Sequence, residues 1–241
     1  AAYFFNEMRH TPTLRTQLAG RIEAVNVVGT AVTFPANFLP PPDDPTATPA
    51  DLNFQPKSIA LSVIKDLPSY LVASLTLQRV ERAPTASELF SKGPHDATGT
   101  FDIGNAGLTI ETAKSVEIGL KRTDGTFRFD GKAYYTRYDN FIFQAPTGNF
   151  CDPEFATCGP TGELLQTFWS QRDAIFRGAE LAWQWDVVPL ANGIFGVDGQ
   201  FDTVRATFTD GSNVPRMPPM RVGGGAYWRN DNWFVRMGLL H

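Results

Sequence analysis

One histidine lies in a segment where it could bind a metal ion. His95 stands in Gly93-Pro94-His95-Asp96, with Glu88 before it and Asp102 after it. A neutral imidazole near carboxylates is the ligand set expected for zinc or another borderline metal. The alternative interpretation is an ordinary solvated loop histidine. A complete metal site would also need residues from other parts of the protein.

The two cysteines are the second set of residues that could have a chemical role. Cys151 and Cys158 lie in GNFCDPEFATCG, a segment rich in Gly, Pro and Asp. An even number of cysteines at short spacing in a loop favours a small disulfide-closed loop in an oxidising compartment. No second Cys or His pair accompanies them, so the spacing is not a zinc-ligand pattern. Two reduced surface thiols are the remaining alternative.

The sequence carries no recognisable catalytic motif. No glycine-rich phosphate loop follows a strand, and no nucleophile elbow is present. The only histidines, His10, His95 and His241, are scattered along the chain, which argues against a Ser-His-Asp or Cys-His arrangement. We therefore predict that the protein is not an enzyme.

Alternation of residue type predicts the strands that position these groups. From Leu14 to Ala24, apolar or small residues at even positions oppose Arg15, Arg21 and other polar residues at most odd positions. This period of two is that of a β-strand with two different faces. A soluble sandwich seldom places so many charges on an inner face, whereas a water-filled barrel lumen accepts them.

About ten such strands are predicted, joined alternately by turns of about four residues and by loops of roughly fourteen to thirty, the asymmetry that membrane barrels have. The alternation slips at Arg137–Asn140, which predicts a bulge. Trp183 and Trp185 point the same way beside a turn, as in an interfacial aromatic girdle, with core packing as the alternative. The predicted strands are Tyr3–Met8, Leu14–Val28, Ile59–Lys65, Tyr70–Arg79, Lys114–Arg122, Phe127–Phe143, Leu164–Val187, Ile194–Ala206, Val222–Trp228 and a strand from Trp233.

Two long connections interrupt the predicted strands. Gly29–Asn53 contains the proline-rich tract Pro40–Pro45, a composition that favours extended, exposed backbone, so we expect an irregular surface loop there. The other connection lies inside Gln78–Gly119. A connection of roughly thirty residues is uncommon in a compact domain unless it has a function.

Composition excludes several classes of protein. The 241 residues carry a formal net charge of −4, which gives no electrostatic case for nucleic acid. The apolar runs are short, so no transmembrane helix is predicted. Ala1-Ala2-Tyr3 already opens in a predicted strand, so no signal peptide is predicted either. Mean hydropathy is slightly negative, as in a soluble protein or in a membrane barrel with a polar lumen, and therefore does not decide between them.

Several residue types within Gln78–Gly119 keep a common register: Arg82-Ala83-Pro84, Glu88-Leu89-Phe90, Gly104-Asn105, Leu108, Glu111 and Glu117. This pattern resembles that of TonB-dependent outer-membrane receptors. In that family an RAP…ELF segment leads over an extracellular loop to a GNxxL…E segment that begins the next barrel strand. Pro215–Pro219 is similar to the same family, and the resemblance covers nearly the whole chain.

The resemblance implies an all-β fold, an antiparallel up-and-down transmembrane β-barrel. This chain would contribute about ten strands of a larger barrel. Residues 1–241 would be a partial barrel domain, without the plug domain and the terminal strands. The implied location is the outer membrane of a Gram-negative bacterium, in contact with its lipid. A passive outer-membrane pore or adhesin barrel is one alternative. A soluble β-sandwich carbohydrate-binding module, suggested by the aromatic residues, is another.

The function implied is active uptake of a scarce nutrient such as a metal ion, a metal–siderophore chelate or haem. The TonB–ExbB–ExbD complex would supply energy through the plug, and zinc, an iron chelate or haem would be cargo rather than a permanently bound cofactor. Gly93–Thr98 is similar to a GxHxAT loop of zinc-uptake receptors, and some haem-uptake receptors place a histidine at this position too, which makes His95 the candidate metal ligand. The ligand-binding loop would contain Arg82, Glu88, His95, Asp96, Asp102 and Asn105.

Overall fold

The computed structural model describes residues 1–32, 47–153 and 158–241. In these ranges the chain is almost entirely β-strand, with one helix, α1 (Ala86–Phe90). The strands are β1 (Ala2–Thr11), β2 (Leu14–Ile22), β3 (Val25–Val32), β4 (Ala47–Phe54), β5 (Lys57–Leu67), β6 (Leu71–Arg82), β7 (Lys92–His95), β8 (Thr100–Ile103), β9 (Glu111–Arg122), β10 (Phe127–Cys151), β11 (Cys158–Gly159), β12 (Leu164–Leu190), β13 (Gly193–Phe208), β14 (Arg221–Arg229) and β15 (Phe234–Leu240).

Ten of these strands form one antiparallel meander, in the order β1-β2-β5-β6-β9-β10-β12-β13-β14-β15. They correspond one for one to the ten strands predicted from the alternation, which confirms the all-β antiparallel prediction. Among the shorter strands, β11 pairs with the end of β10, β8 pairs with the end of β12, and β7 pairs with β8, whereas β3 and β4 form a separate two-stranded sheet. In the described residues α1 is the only helix, and none is long and apolar enough to cross a membrane.

The connections alternate in length along the meander. At one end, here called the turn end, successive strands are joined by two to four residues. At the other end, the loop end, the connections have 12 to 34 residues. The longest two contain structure of their own, β3 and β4 in one and α1, β7 and β8 in the other. This is the predicted asymmetry between the two ends.

The predicted bulge is present in β10. Its pairing with β12 shifts register between Tyr138 and Phe141, and Asn140 has a φ of 58°. Asparagine tolerates this left-handed conformation better than most residues. Beyond the bulge, β10 continues past its predicted end at Phe143 to Cys151, whereas β12 begins at Leu164 as predicted.

Two predictions in the first long connection were wrong. Leu14–Val28 is not one strand, because the main-sheet pairing of β2 ends at Ile22 and β3 leaves the sheet. Gly29–Asn53 is not irregular throughout, since β3 and β4 pair from Val25 opposite Phe54 to Val32 opposite Ala47. The two strands satisfy each other's backbone groups away from the sheet. The tract Pro40–Pro45 lies outside the described residues.

The two faces of the sheet differ as predicted. Cross-strand register places Leu18, Leu61, Leu77, Val116 and Tyr135 in one row on an apolar face. These side chains are exposed, Leu77 by 48% and Val116 by 37%. The opposite, polar face carries the residues predicted to line a lumen, which are Arg15, Arg21, Glu117, Asp198 and Asp202.

Aromatic residues cluster at the turn end of the apolar face. Trp183 and Trp185 lie there opposite Phe129 and Phe127, and Trp185 is 47% exposed, which favours a girdle over core packing. The buried hydrophobic clusters lie instead at the loop end, where the long connections fold onto β10, β12 and β13. The described part of the chain therefore has its core above the sheet wall and not between two sheets.

Candidate ligand-binding site at the loop end

Both ends of the connection between β6 and β9, residues 83–110, are held by one arginine. Arg82 Nη1 donates to both carboxylate oxygens of Glu88 at 3.0 and 2.8 Å, and Nε and Nη2 donate to Glu111 at 3.3 and 3.2 Å. Both carboxylates are about 10% exposed. Glu111 also accepts the backbone N–H of Ile142 in β10 at 2.7 Å. Arg82 thus fixes both ends of the connection to the sheet.

Helix α1 starts directly after Pro84 with a reciprocal cap. The Thr85 hydroxyl accepts the Glu88 N–H at 3.3 Å, and the Glu88 carboxylate accepts the Thr85 N–H at 2.7 Å. Such a capping box satisfies two backbone donors that a helix start leaves open. Leu89, 1% exposed, packs with Leu108 in the same buried cluster. Glu88 therefore serves both the cap and the ion pair with Arg82.

Asn105 holds the returning part of the connection. Its side-chain Nδ2 donates to the Trp169 carbonyl at 3.1 Å, and its Oδ1 accepts the Gly107 N–H at 2.9 Å. Its backbone N–H donates to the Glu88 carbonyl at 2.9 Å. The preceding Gly104 passes so close to α1 that a Cβ there would lie 2.5 Å from the Phe90 nitrogen. The close approach thus requires glycine at position 104.

His95 and Asp102 face each other across the β7–β8 hairpin. His95 Nδ1 lies 3.3 Å from Asp102 Oδ2 and 3.0 Å from the Thr98 hydroxyl, and its side chain is 54% exposed. Asp102 is buried, and its oxygens accept Thr100 Oγ1 at 2.7 Å, Thr167 Oγ1 at 2.9 Å and Gln144 Nε2 at 2.7 Å. Its acceptor capacity is therefore largely used inside the protein.

A cavity of about 750 Å³ opens beside this histidine. Its wall is formed by β7 and the residues just before it, by the loop-end parts of β10 and β12, and by the connection between β13 and β14. Arg216 from that connection donates to the Gln144 side chain and closes one side. The polar residues that line it are Ser87, Ser91, Lys92, His95, Asp102, Gln144, Trp169 and Arg216.

Two buried polar atoms at the cavity wall have no hydrogen-bond partner within the described ranges. They are the Ser91 hydroxyl and the Trp169 indole Nε1. An unsatisfied buried donor costs about 1–3 kcal/mol, so these two atoms are the candidates to donate to a ligand whose acceptors reach them. Burial also lowers the pKa of the Lys92 ammonium, because the charged form loses hydration.

The structure divides the six predicted ligand-loop residues into two groups. His95 and Asp102 line the cavity, and Asp96 lies in the exposed turn beside them. Arg82, Glu88 and Asn105 make the internal contacts that hold the connection in place. The cavity residues from β10, β12 and beyond were missed, because they meet only through the tertiary fold. Arg216 alone lay in a segment that the sequence had singled out.

The described residues contain no group of three His, Cys, Asp or Glu side chains that could hold a metal ion. His95 has one carboxylate in reach, Asp102. Metal binding by His95 therefore stays a prediction, and it would need ligands from the cargo or from residues beyond the described ranges.

The two cysteines close the extension of β10 next to this site. Cys151 and Cys158 are joined by a disulfide with an S–S distance of 2.07 Å. Both pack in one buried cluster with Phe101 and Ile103 of β8. Since β8 also carries Asp102, the disulfide stabilises the strand that orients the carboxylate beside His95.

These features together define an outer-membrane β-barrel: one antiparallel meander, an apolar face opposite a polar face, tight turns at one end and folded loops at the other. The chain belongs to the TonB-dependent receptor family, since residues 1–239 match the family model described as "TonB dependent receptor-like, beta-barrel". The apolar face therefore meets lipid and the polar face lines the lumen of a Gram-negative outer-membrane barrel.

Solved structures share the fold at low sequence identity. The chain is similar to the "Copper transporter OprC" with a TM-score of 0.76 and 16% identity, over 98% of this chain and 33% of that one. It is also similar to the ferric-catecholate import receptor Fiu of E. coli K12, with a TM-score of 0.59 and 15% identity over 98% and 33% of the two chains. For the FrpB iron transporter from Neisseria meningitidis the values are 0.58 and 12%, over 98% and 31%. The chain thus spans about a third of the length of these proteins.

Proposed function

We propose that the protein containing this chain is a TonB-dependent active transporter that takes up a scarce nutrient across the outer membrane. Membership of the receptor family and the barrel architecture support this role. The energy would come from the TonB–ExbB–ExbD complex acting on a plug domain. The polar face would then form the wall of the path, and the loop end would form the binding site.

The observation that carries this proposal is the cavity at the loop end. It is built by two separate connections, residues 83–110 and 209–220, and by the strands β10 and β12, and two of its buried polar atoms, Ser91 Oγ and Trp169 Nε1, lack partners in the described structure. The cost of such groups is recovered when a ligand supplies acceptors.

The chemistry of the cavity favours an anionic metal chelate as cargo. Lys92, Arg216 and the Trp169 N–H are donors, whereas the buried carboxylate of Asp102 already accepts several hydrogen bonds. Oxygen-rich chelators and the propionates of haem offer acceptors to such a site. A bare divalent cation would meet more positive than negative charge.

A second candidate is direct metal binding, and His95 is the observation that favours it. Its imidazole is half exposed at the mouth of the cavity, and Asp102 holds its Nδ1 side. A carboxylate on one ring nitrogen of a histidine orients the other nitrogen toward a metal. Zinc or copper could then bind with additional ligands from outside the described residues.

Calorimetry on the full-length receptor would test these proposals with four probes: a ferric catecholate, haem, Zn²⁺ and Cu²⁺. We expect an anionic chelate to bind, and Trp169→Phe to weaken that binding roughly tenfold, because one buried donor is lost while the ring remains. Thr147→Val, a substitution outside the cavity lining, is the matched control. Equal affinity of wild type and Trp169→Phe for every probe that binds would exclude the cavity as the binding site.

His95→Ala separates the two candidates. Loss of Zn²⁺ or Cu²⁺ binding with unchanged chelate binding would identify a metal ligand. Unchanged affinity for both metals and for haem would remove His95 from the site. Loss of energised uptake on deletion of the TonB partner, with binding retained, would support the transport step. Uptake that continues without TonB would favour the passive pore instead.

A further inference from the structure

Five cationic residues lie side by side on the lipid-facing side of the wall. Each of five neighbouring strands contributes one of these residues. In each strand the cation lies at the end of the apolar run that begins at the turn end. All five are exposed. We call them the cationic row, which consists of Arg79 in β6, Lys114 in β9, Arg137 in β10, Arg177 in β12 and Arg205 in β13.

The pairing register places these charges directly opposite or diagonal to one another on adjacent strands. Arg79 is opposite Lys114, Lys114 is opposite Arg137, and Arg177 is opposite Arg205. Arg137 and Arg177 are diagonal neighbours, because Arg137 pairs with Ile175. Like charges directly opposite each other on adjacent strands destabilise a sheet. The arrangement therefore needs a source of negative charge.

Carboxylates of the chain supply only part of that charge. Glu81 lies 2.5 Å from Arg79, and Asp139 lies 2.5 Å from Lys114 and 3.7 Å from Arg137. Among the described ion pairs none involves Arg177 or Arg205. Five cations are thus matched by two carboxylates, and the row retains an excess of positive charge at the membrane surface.

A hollow of about 510 Å³ lies directly below the first three cations. Its floor is apolar and belongs to the lipid-facing band, and its upper rim is formed by Arg79, Lys114 and Arg137. An aromatic ring closes the side next to β10. The apolar residues of the hollow are Ile59, Leu61, Leu77, Val116 and Tyr135.

The hollow lies at the level where an outer-leaflet lipid changes from acyl chain to headgroup. Short turns of outer-membrane barrels face the periplasm and long loops face outward, so the loop end of the apolar band adjoins the outer leaflet. We propose that the cationic row binds the phosphate groups of a multiply phosphorylated outer-leaflet glycolipid, with an acyl chain on Leu61, Leu77 and Val116.

The geometry favours several phosphates over one. Neighbouring strands are about 4.8 Å apart, so a row that crosses five strands spans about 20 Å. Arginine also matches phosphate with paired N–H donors. A singly charged phospholipid would satisfy one or two of the cations and leave the others opposed. This site is separate from the cavity at the loop end and does not depend on the nutrient transported.

Binding can be measured on the purified full-length receptor by native mass spectrometry or by lipid titration in detergent. The probes are lipopolysaccharide, the same lipopolysaccharide after enzymatic dephosphorylation, and phosphatidylglycerol. We expect the triple variant Arg79→Gln, Lys114→Gln, Arg137→Gln to bind lipopolysaccharide on the order of 100-fold more weakly, since each cation near a membrane surface contributes comparably. Dephosphorylation should weaken binding to the wild type similarly.

The matched control is Arg9→Gln, Lys121→Gln, Lys132→Gln, which removes three exposed cations from the polar face. It changes the net charge equally and should leave lipopolysaccharide affinity unchanged. Equal affinity of the two triple variants would overturn the proposal. So would wild-type binding of dephosphorylated lipid or of phosphatidylglycerol as tight as that of lipopolysaccharide, and both of these arms are independent of the folding of any variant.

Discussion

Two polar networks lie at opposite ends of the wall. Both pair arginines with carboxylates, but the ratio of cations to anions is reversed between them. At the loop end, Arg82 lies between the carboxylates Glu88 and Glu111. At the turn end, Asp186 accepts Arg128 at 2.7 and 2.9 Å and Arg229 at 2.9 Å, and also accepts the hydroxyl of Tyr227. One network has a single cation and the other a single anion.

The difference corresponds to what each network holds together. Asp186 of β12 binds side chains of the adjacent strand β10 and of β14, which lies beyond β13, within the wall itself. Arg82 joins the wall to a connection that folds over it. We infer that the turn-end network stabilises the barrel globally, whereas the loop-end network stabilises the shape of the binding region.

The largest expected effect is therefore that of Asp186→Ala. It leaves Arg128 and Arg229 facing each other beside buried Tyr227. Removing one partner of a fully buried ion pair typically costs about 3–5 kcal/mol, and because Arg128 and Arg229 are partly exposed we expect about 2–3 kcal/mol here. Denaturant unfolding in detergent, followed by the heat-dependent gel shift of barrels, measures this loss. Asp202→Ala, whose partner Arg221 is exposed, is the control and should cost under about 1 kcal/mol. Similar losses for both would remove the distinction between wall network and exposed pair.

Arg82→Ala should have a smaller global effect and a stronger local one. Glu88 and Glu111 would repel each other, and we expect a loss of about 2 kcal/mol that is confined to the connection. Hydrogen exchange should rise in α1 and β7–β8 while β12 and β13 stay protected. Arg82→Lys, which keeps one charge but not the forked donors, should lie between the two. Uniform loss of protection across the wall would contradict the proposed division.

Replacing both cysteines with serine should loosen the β10 extension by about 2 kcal/mol, because the disulfide closes a short loop and packs against β8. The expected signature is faster exchange at Phe101 and Ile103, with the gel shift of the barrel unchanged. Reduction of the wild type should reproduce it. Unchanged exchange in β8 would separate the disulfide from the binding region.

Thr85→Ala is expected to have the smallest effect, about 1 kcal/mol, since it removes one of the two bonds of the capping box. The exchange of α1 alone should rise. Thr85→Ser keeps the hydroxyl and should restore protection. An effect as large as that of Arg82→Ala would mean that the cap, and not the ion pair, holds the connection.

The wall could be predicted from the sequence because one rule of period two governs it. Even and odd residues of β2 or β10 divide between lipid and lumen, so register and faces follow from local pattern. The loop end follows no such rule. β3 and β4 were missed because they pair with each other only after the chain has left the main sheet. The point where it leaves is marked only by a backbone hydrogen bond of 3.0 Å from the Glu23 N–H to the Pro56 carbonyl.

The candidate site was predicted only where its residues lie close together in sequence. His95 and Asp102 share a hairpin and were both among the predicted residues. Gln144, Trp169 and Arg216 reach the same cavity from three distant segments, and nothing local distinguishes them. Arg82 and Glu88 were predicted as ligand-loop residues from the family pattern. Their observed contacts hold the connection in place.

Tyr227 also has a consequence for how such sequences can diverge. Its ring fills the space above Gly196 so closely that a Cβ on that glycine would lie 2.2 Å from the phenol. A side chain at 196 and an aromatic ring at 227 are therefore mutually exclusive. Across related barrels the two positions should covary, and Asp186 should lose its phenolic partner whenever the glycine is replaced.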